Sequence, residues 1–248
     1  MGVSFGIAAL DETISEVLPE GYLVLVVGSP GAGMELFAKQ YAAGAGEKEQ
    51  ILYVSTSERA EDVKRTMDAY GWSPKMTVLD VSKEYYEKVL SKDLLISRYR
   101  QEGINLKDVK NLKLTLHRGI NFLTRLIYNI SRLTPPFRVV IDSMDFYFQQ
   151  YEPRDVISTL RTIRAHAQHS KSVVLVTMMR EAYATGTHRE AENIADCIIT
   201  METKERPTGF EYYLIVTKVL NHPEKTGLFK YSIGAEGIKA IKIGGTRV

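Results

Sequence analysis

The stretch Gly28-Ser-Pro-Gly-Ala-Gly-Met-Glu35 follows an apolar run, residues 22–27, and precedes a segment with helical spacing that begins at Leu36. A strand, a glycine-rich turn and a helix start in this order are typical of the phosphate-binding loop G-x-x-x-x-G-K-[ST]. In that loop the main-chain N–H groups surround the phosphates, the lysine contacts the β and γ oxygens, and the hydroxyl holds magnesium. The stretch therefore predicts an α/β fold of the nucleotide-binding type.

The loop has the glycines of this pattern but neither of the two side chains that act on ATP. Met34 stands at the lysine position and carries no charge, and Glu35 stands at the hydroxyl position. A carboxylate at a helix start is stabilised by the helix dipole by about 0.3–1 kcal/mol, so Glu35 takes the electrostatic place of a phosphate. We expect a degenerate loop. Weak binding of ATP or ADP with Mg²⁺ through its main-chain N–H groups is kept as an open alternative. The residues of the loop are Gly28, Ser29, Pro30, Gly31, Ala32, Gly33, Met34 and Glu35.

The composition is that of an ordinary globular protein, with 248 residues, 44% hydrophobic and 25% charged residues, and a net charge of +2. Such a small net charge gives no global argument for a nucleic-acid partner. Cys197 is the single cysteine, so no internal disulfide can form. No apolar stretch approaches the roughly 20 residues of a membrane span, and the start lacks a signal-peptide pattern. We expect one domain over residues 1–248, located in the cytoplasm, with no membrane partner.

Apolar runs alternate with helical patterns along most of the chain. Near-continuous Val/Ile/Leu strands between helices are typical of a parallel sheet covered on both faces, and the later polar-alternating strands predict an antiparallel extension at one edge. Helices are predicted at residues 35–43, 61–70 and 118–132, and a connection at residues 182–189. The predicted strands are residues 23–27, 51–55, 76–81, 138–142, 173–177, 197–201 and 212–218, and a terminal hairpin of 228–233 and 237–243.

Residues 82–118 depart from this rhythm because lysine and arginine recur through them. We interpret the segment as a helical insertion or lid with a basic, solvated face. Clustered basic side chains can also contact phosphates of nucleic acid, and this alternative is open but not favoured because acidic residues are interleaved.

A second carboxylate, Asp142, ends the apolar run of residues 138–142. Phosphoryl-transfer sites of this architecture use an acidic residue at the end of a neighbouring strand to order the magnesium shell. Asp142 is therefore the predicted remnant of that acid.

Several stretches, in the same order along the chain, resemble motifs of the KaiC-like branch of the RecA superfamily of ATPases. The resemblance covers nearly all of the chain except the basic segment, and it implies a RecA-like three-layer sandwich. The stretches are Phe5-Gly-Ile-Ala-Ala-Leu-Asp11-Glu12 with Leu18-Pro-Glu-Gly21, Ile51-Leu-Tyr-Val-Ser-Thr-Ser57-Glu58-Arg-Ala-Glu-Asp62, Tyr70-Gly71-Trp72, Asn193-Ile-Ala-Asp196-Cys-Ile-Ile-Thr-Met-Glu202, and residues 229–241.

The resemblance also implies roles for residues outside the loop, and most of those positions are changed. The family's catalytic glutamate falls on Ser57, although the adjacent glutamate is kept as Glu58. The polar sensor after the fifth core strand falls on Met178. Of the Lys-x-Arg pair that reaches a neighbouring subunit's γ-phosphate, Lys218 remains and Leu220 replaces the arginine.

These departures favour a catalytically inactive domain, a pseudo-ATPase, that acts as a regulatory or protein-binding module. Family resemblance implies a homo-oligomer, or a hetero-oligomer with an active paralogue. The alternatives are a nucleic-acid-binding recombinase paralogue and a metal-dependent enzyme with a re-purposed pocket. In the latter, Glu35, Glu58 and Asp142 would converge on a divalent cation. Otherwise Glu35 pairs with a cation such as Lys218 and plugs the cradle, which we favour because burying three carboxylates is costly.

Overall fold

The computed structural model describes residues 3–16, 18, 21–102, 121–207 and 209–245. In this part of the chain, nine strands form a sheet in the order β3-β2-β4-β5-β1-β6-β7-β8-β9. The first six are mutually parallel, and β7, β8 and β9 extend the sheet antiparallel, which confirms the predicted architecture. The strands are β1 Tyr22–Gly28, β2 Gln50–Ser55, β3 Met76–Asp80, β4 Phe137–Asp142, β5 Val173–Met179, β6 Cys197–Arg206, β7 Gly209–Val219, β8 Gly227–Gly234 and β9 Gly237–Gly245.

Helices cover the sheet on two faces and define two apolar clusters. One cluster contains buried residues of α2 and α3, and the other contains buried residues of α6, α7, α8 and α9. The result is the predicted three-layer sandwich. The helices are α1 Ala8–Leu10, α2 Met34–Ala43, α3 Ala60–Ala69, α4 Val81–Tyr85, α5 Ser91–Glu102, α6 Phe122–Ser131, α7 Asp145–Gln150, α8 Pro153–His169 and α9 Thr185–Ile194, with π-helical turns at Asp11–Ser15 and Tyr86–Leu90 and a 3₁₀ turn at Pro223–Lys225.

The central strands are buried along their whole length. All residues of β1 and of β4 are buried, as expected for a parallel sheet with helices on both faces. Parallel strands share one carboxyl edge, where ligands of open α/β sheets bind. Gly28, Ser55, Asp142 and Met179 therefore end at the same edge.

Helix α6 is shorter than predicted in its described part. The Asn121 side chain accepts a hydrogen bond from Thr124 N at 2.9 Å and so caps the helix start. Leu126 is buried, and Ile127 is half-buried. Residues 118–120 of the predicted helix lie outside the described residues.

The described first part of the basic segment, residues 82–102, is helical. Its start is fixed by Asp80, whose carboxylate accepts hydrogen bonds from Lys83 N and Ala60 N. Residues 103–120 lie outside the described residues, and a role as a lid stays a prediction.

The prediction of a connection at residues 182–189 is wrong from Thr185 onward, because α9 begins at that residue. Among the described helices, none combines the length and the apolar character that crossing a membrane requires.

Candidate functional site

The backbone of residues 28–35 keeps the turn that the glycines predict. Gly31 and Gly33 have φ angles of +80° and +78°, in the left-handed region that favours glycine. Leu36 N and Phe37 N both donate to the Gly33 carbonyl and so close the first turn of α2. The geometry of the loop is therefore that of a strand-to-helix turn with α2 starting at Met34.

The Met34 side chain folds back over the beginning of the loop. Its Sδ lies 2.6 Å from the point where a Cβ on Gly28 would be, and Met34 is 8% exposed. Glu35, in contrast, is exposed. The expected plug by Glu35 is therefore not formed, and the side chain that packs against Gly28 is that of Met34.

Strand β8 reaches the loop from the other side. The Tyr231 hydroxyl donates to the Ala32 carbonyl, and Ile233 Cδ1 lies 3.1 Å from the position of a Cβ on Gly33. Tyr231 is buried, and this burial raises the pKa of its hydroxyl, so the group remains a donor. The C-terminal hairpin thus holds the loop, a contact between residues 199 positions apart that local sequence patterns do not show.

Glu58 is engaged by a buried lysine of α2. Lys39 is 1% exposed, and its Nζ lies 2.7 Å from Glu58 Oε1 and 3.3 Å from the Glu35 carbonyl. Sequence reasoning missed Lys39, although a lysine on the buried face of a helix is unusual enough to signal a partner. Ser57, at the position of the family's catalytic glutamate, is exposed.

Asp142 lies at the end of β4, as predicted, and both of its carboxylate oxygens accept hydrogen bonds. Tyr53 Oη donates to Oδ2 at 2.7 Å, and Thr177 Oγ1 donates to Oδ1 at 2.8 Å. Burial, reinforced by the charge of Asp142, holds the pKa of Tyr53 well above its ordinary value. Tyr53 therefore stays protonated and remains a donor to Asp142.

The structure does not bring the three predicted metal-binding carboxylates together. Glu58 is paired with Lys39, Asp142 with two hydroxyls, and Glu35 faces solvent. Within the described ranges no group of three His, Cys, Asp or Glu side chains is arranged to hold a metal ion. A magnesium–nucleotide complex would find neither an ammonium group at position 34 nor a hydroxyl at position 35, so only the main-chain N–H groups of the loop remain to contact its phosphates.

The other positions of the resemblance are Lys218, Met178 and Leu220. Lys218 Nζ donates to the carbonyls of Glu192 and Asn193, at 2.9 and 3.3 Å, so its expected pairing with Glu35 is not formed. Burial lowers the pKa of Lys218 below its usual value. Met178 is fully buried, and Leu220 is 38% exposed.

Comparisons with known proteins agree with the fold. The family model described as "ATPase: KaiC" matches residues 3–244. A UPF0273 protein of Thermotoga maritima is 28% identical, over 95% of this chain and 94% of its own length. The circadian clock oscillator protein KaiC of Prochlorococcus marinus is 24% identical over 98% of this chain, which spans 46% of that relative. The crystal structure of a KaiC-like protein from Pyrococcus horikoshii superposes with a TM-score of 0.65 at 21% identity, covering 97% and 99% of the two chains.

Proposed function

Because the chain belongs to the KaiC family of ATPases, we propose that it is a member without ATPase activity that serves as a regulatory or protein-binding domain. The observation that carries this proposal is the position of Met34. The residue that replaces the loop lysine packs its side chain on Gly28, the first residue of the loop.

The combined losses are large enough to make hydrolysis negligible. A general acid or base contributes about 10²–10⁴ in rate, and a trans-acting arginine about 10³–10⁵. Ser57 offers no carboxylate to orient water, and Leu220 offers no cation. Even with strong non-additivity, the loss of lysine, hydroxyl, base and arginine together leaves no mechanism for turnover.

Residual nucleotide binding depends on features of the loop that act in opposite directions on the binding free energy. Main-chain N–H groups of a glycine-rich turn bind anions without any side chain. Met34 fills part of the loop, and the carboxylate of Glu35 repels a phosphate at the start of α2. We therefore propose that ATP or ADP with Mg²⁺ binds weakly.

Isothermal titration with ATP·Mg and ADP·Mg tests the binding part of the proposal. The wild-type protein should bind with a Kd weaker than about 100 µM, a binding free energy of only about 5.5 kcal/mol. The double variant Met34→Lys/Glu35→Thr should bind at least about tenfold more tightly, because it regains an ammonium group and a hydroxyl. Glu35→Gln is the matched control, since it removes the charge alone. Micromolar binding by the wild-type protein, unchanged in the double variant, contradicts the proposal.

The protein-binding part of the proposal is supported by apolar side chains at the antiparallel edge of the sheet. Ile241 and Ile243, at alternate positions of the edge strand β9, are 65% and 49% exposed. Exposed apolar groups that cluster are a mark of contact surfaces. We propose that the edge surface, defined as Ile241 and Ile243, meets a second copy or a KaiC-like paralogue.

A further inference from the structure

Strand β9 is the last strand of the described sheet, and it pairs there with β8 alone. The register places Ile233 of β8 opposite Ile238 and Lys230 opposite Ile241. In an antiparallel pair, residues that exchange hydrogen bonds with the neighbouring strand alternate with residues whose N–H and C=O groups point away from it. Every second residue of β9 therefore directs its main-chain groups outward, away from β8.

Gln40 identifies which residues of β9 face outward. Its Nε2 donates to the Ile238 carbonyl at 3.1 Å, and its Oε1 accepts a hydrogen bond from Ile238 N at 2.7 Å. Because both main-chain groups of Ile238 are bonded to this side chain, Ile238 is an outward residue. Ala240 and Lys242 are then outward residues as well, by the alternation of the pair.

The open part of this edge is short and has a boundary at each end. Gln40 occupies the outward groups of Ile238. At the other end the register shifts, because Phe229 lies opposite Lys242 and Leu228 lies opposite Gly244. Within the described ranges, no side chain or turn bonds to the main chain of Ala240 or Lys242. The regular open edge is therefore residues 240–242.

The apolar side chain in the middle of the open edge is left uncovered. Ile238 and Ala240 pack with the apolar cluster that contains residues of α1 and α2. Ile241 alternates with them along the strand and so points to the opposite face, where it is 65% exposed. A strand that pairs with residues 240–242 would cover Ile241 as well as the open main-chain groups.

A second copy of β9 fits these limits in one register. When Ile241 lies opposite Ile241 of the second copy, Ala240 of each copy lies opposite Lys242 of the other. Ala240 and Lys242 are both outward residues, so the copies exchange about four main-chain hydrogen bonds. A two-fold axis at Ala240 would instead require the groups of Ile238 that Gln40 occupies, and an axis at Lys242 would place two like charges directly opposite, which is destabilising.

The lysines of β9 are compatible with this register, although exposed lysines on an edge strand often prevent pairing. Lys239 forms an ion pair with Glu236 of the same chain. Lys242 Nζ lies 5.9 Å from the centroid of the Phe229 ring on β8 and so leans toward its own chain. In the register centred on Ile241, neither lysine lies directly opposite another lysine.

We propose that two copies of this chain associate by antiparallel pairing of their β9 strands at residues 240–242, with Ile241 at the two-fold axis. The inference rests on the edge surface of the proposed function and specifies its occupant as a second copy. Pairing joins the two sheets into one continuous sheet, and the two-fold symmetry closes the assembly at a dimer. The two Ile241 side chains contact each other on the face that no described helix covers.

Disulfide trapping in the whole chain tests the register. Residue 241 forms a non-hydrogen-bonded pair with its own copy, in which the Cα atoms lie about 4.5 Å apart, within the range that a disulfide needs. Ile241→Cys should therefore give a covalent dimer under mild oxidation. Ile243→Cys is the matched control and should cross-link at least about tenfold more slowly, because this register separates the two copies of residue 243 by roughly 13 Å. The native Cys197 is buried and does not take part.

A proline substitution tests the main-chain hydrogen bonds independently of cysteine chemistry. Ala240→Pro removes an outward N–H, which an edge strand tolerates, so the pairing of β8 with β9 is kept. The dimer loses two hydrogen bonds, one from each copy. Its dissociation constant in sedimentation equilibrium should rise at least about tenfold. Ala240→Ser keeps the N–H and should dimerise like the wild type.

The outcomes separate failure of the strand pairing from failure of the proposed function. Equal cross-linking of Ile241→Cys and Ile243→Cys, or a dimer that Ala240→Pro leaves unchanged, overturns the pairing but leaves the edge surface as a contact between copies. A wild-type protein that remains monomeric, with no cross-link in Ile241→Cys, overturns self-association altogether. Neither result depends on nucleotide, so the proposed lack of ATPase activity is tested separately.

Discussion

At the scale of single residues, Asp142 illustrates how this site differs from a metal site. Its carboxylate is 7% exposed and is satisfied by the hydroxyls of Tyr53 and Thr177. Such an acid stabilises the fold through protein partners alone. Its identity at the end of β4 was predictable from sequence, but its partners lie on β2 and β5 and required the folded sheet.

Asp142→Ala should lower the free energy of unfolding by about 2–4 kcal/mol, because two buried hydroxyls lose their acceptor. Asp142→Asn should cost less than half as much, since its amide can still exchange hydrogen bonds with both hydroxyls. Urea denaturation of the two variants measures this difference. Equal midpoints for wild type and Asp142→Ala would show that the pair of hydrogen bonds contributes nothing.

Cys197 gives a prediction that depends on pH. Burial, with the charge of Asp196 adding to it, raises the pKa of this thiol to about 12, against about 8.5 in an unfolded chain. Above pH 8.5 the unfolded state loses the proton while the folded state keeps it, so stability falls as pH rises, by up to about 1.4 kcal/mol per pH unit.

The free energy of unfolding between pH 9 and 10 should therefore fall less steeply in Cys197→Ala than in the wild type. Urea melts at the two pH values measure the slopes. Ellman's reagent at pH 8 should modify Cys197 only when denaturant is present. Rapid modification of the native protein would contradict the burial of the thiol.

At the scale of elements, strand β8 contacts the phosphate loop through Tyr231 and Ile233. Tyr231→Phe removes the hydroxyl that binds the Ala32 carbonyl but keeps the ring. Amide hydrogen exchange of Ala32, whose N–H donates to the Ser29 carbonyl, should then be faster, about fivefold if the lost bond contributes about 1 kcal/mol. Exchange in β4 should be unchanged and serves as the internal control. Unaltered exchange at the loop would mean that β8 does not hold it.

The strands were predictable because buried parallel strands read as continuous apolar runs, as in β1 and β4. Helix α9 was not predicted, since only Ala191 and Ile194 are buried along it and its polar face resembles a loop. The loop glycines were predictable from their spacing. The side chains that pack against the loop were not predictable, because tertiary packing sets the rotamer of Met34 and the position of Tyr231.

At the scale of the whole molecule, the proposed edge surface should govern self-association. The double variant Ile241→Lys/Ile243→Lys places two charges on β9 and should shift sedimentation toward the monomer. Tyr128→Lys, at a 55% exposed position of α6, is the matched control and should leave the distribution unchanged. If the wild-type protein is monomeric at all accessible concentrations, the edge surface does not mediate self-association, and only a different chain could bind to it.

The central claim is that this KaiC-family chain does not hydrolyse ATP, and steady-state phosphate release with ATP and Mg²⁺ tests it most directly. The wild-type protein and Asp142→Asn should release phosphate at the same rate, equal to that of the buffer. A contaminating ATPase would raise both rates alike. Steady turnover by the wild type that Asp142→Asn abolishes would contradict the claim.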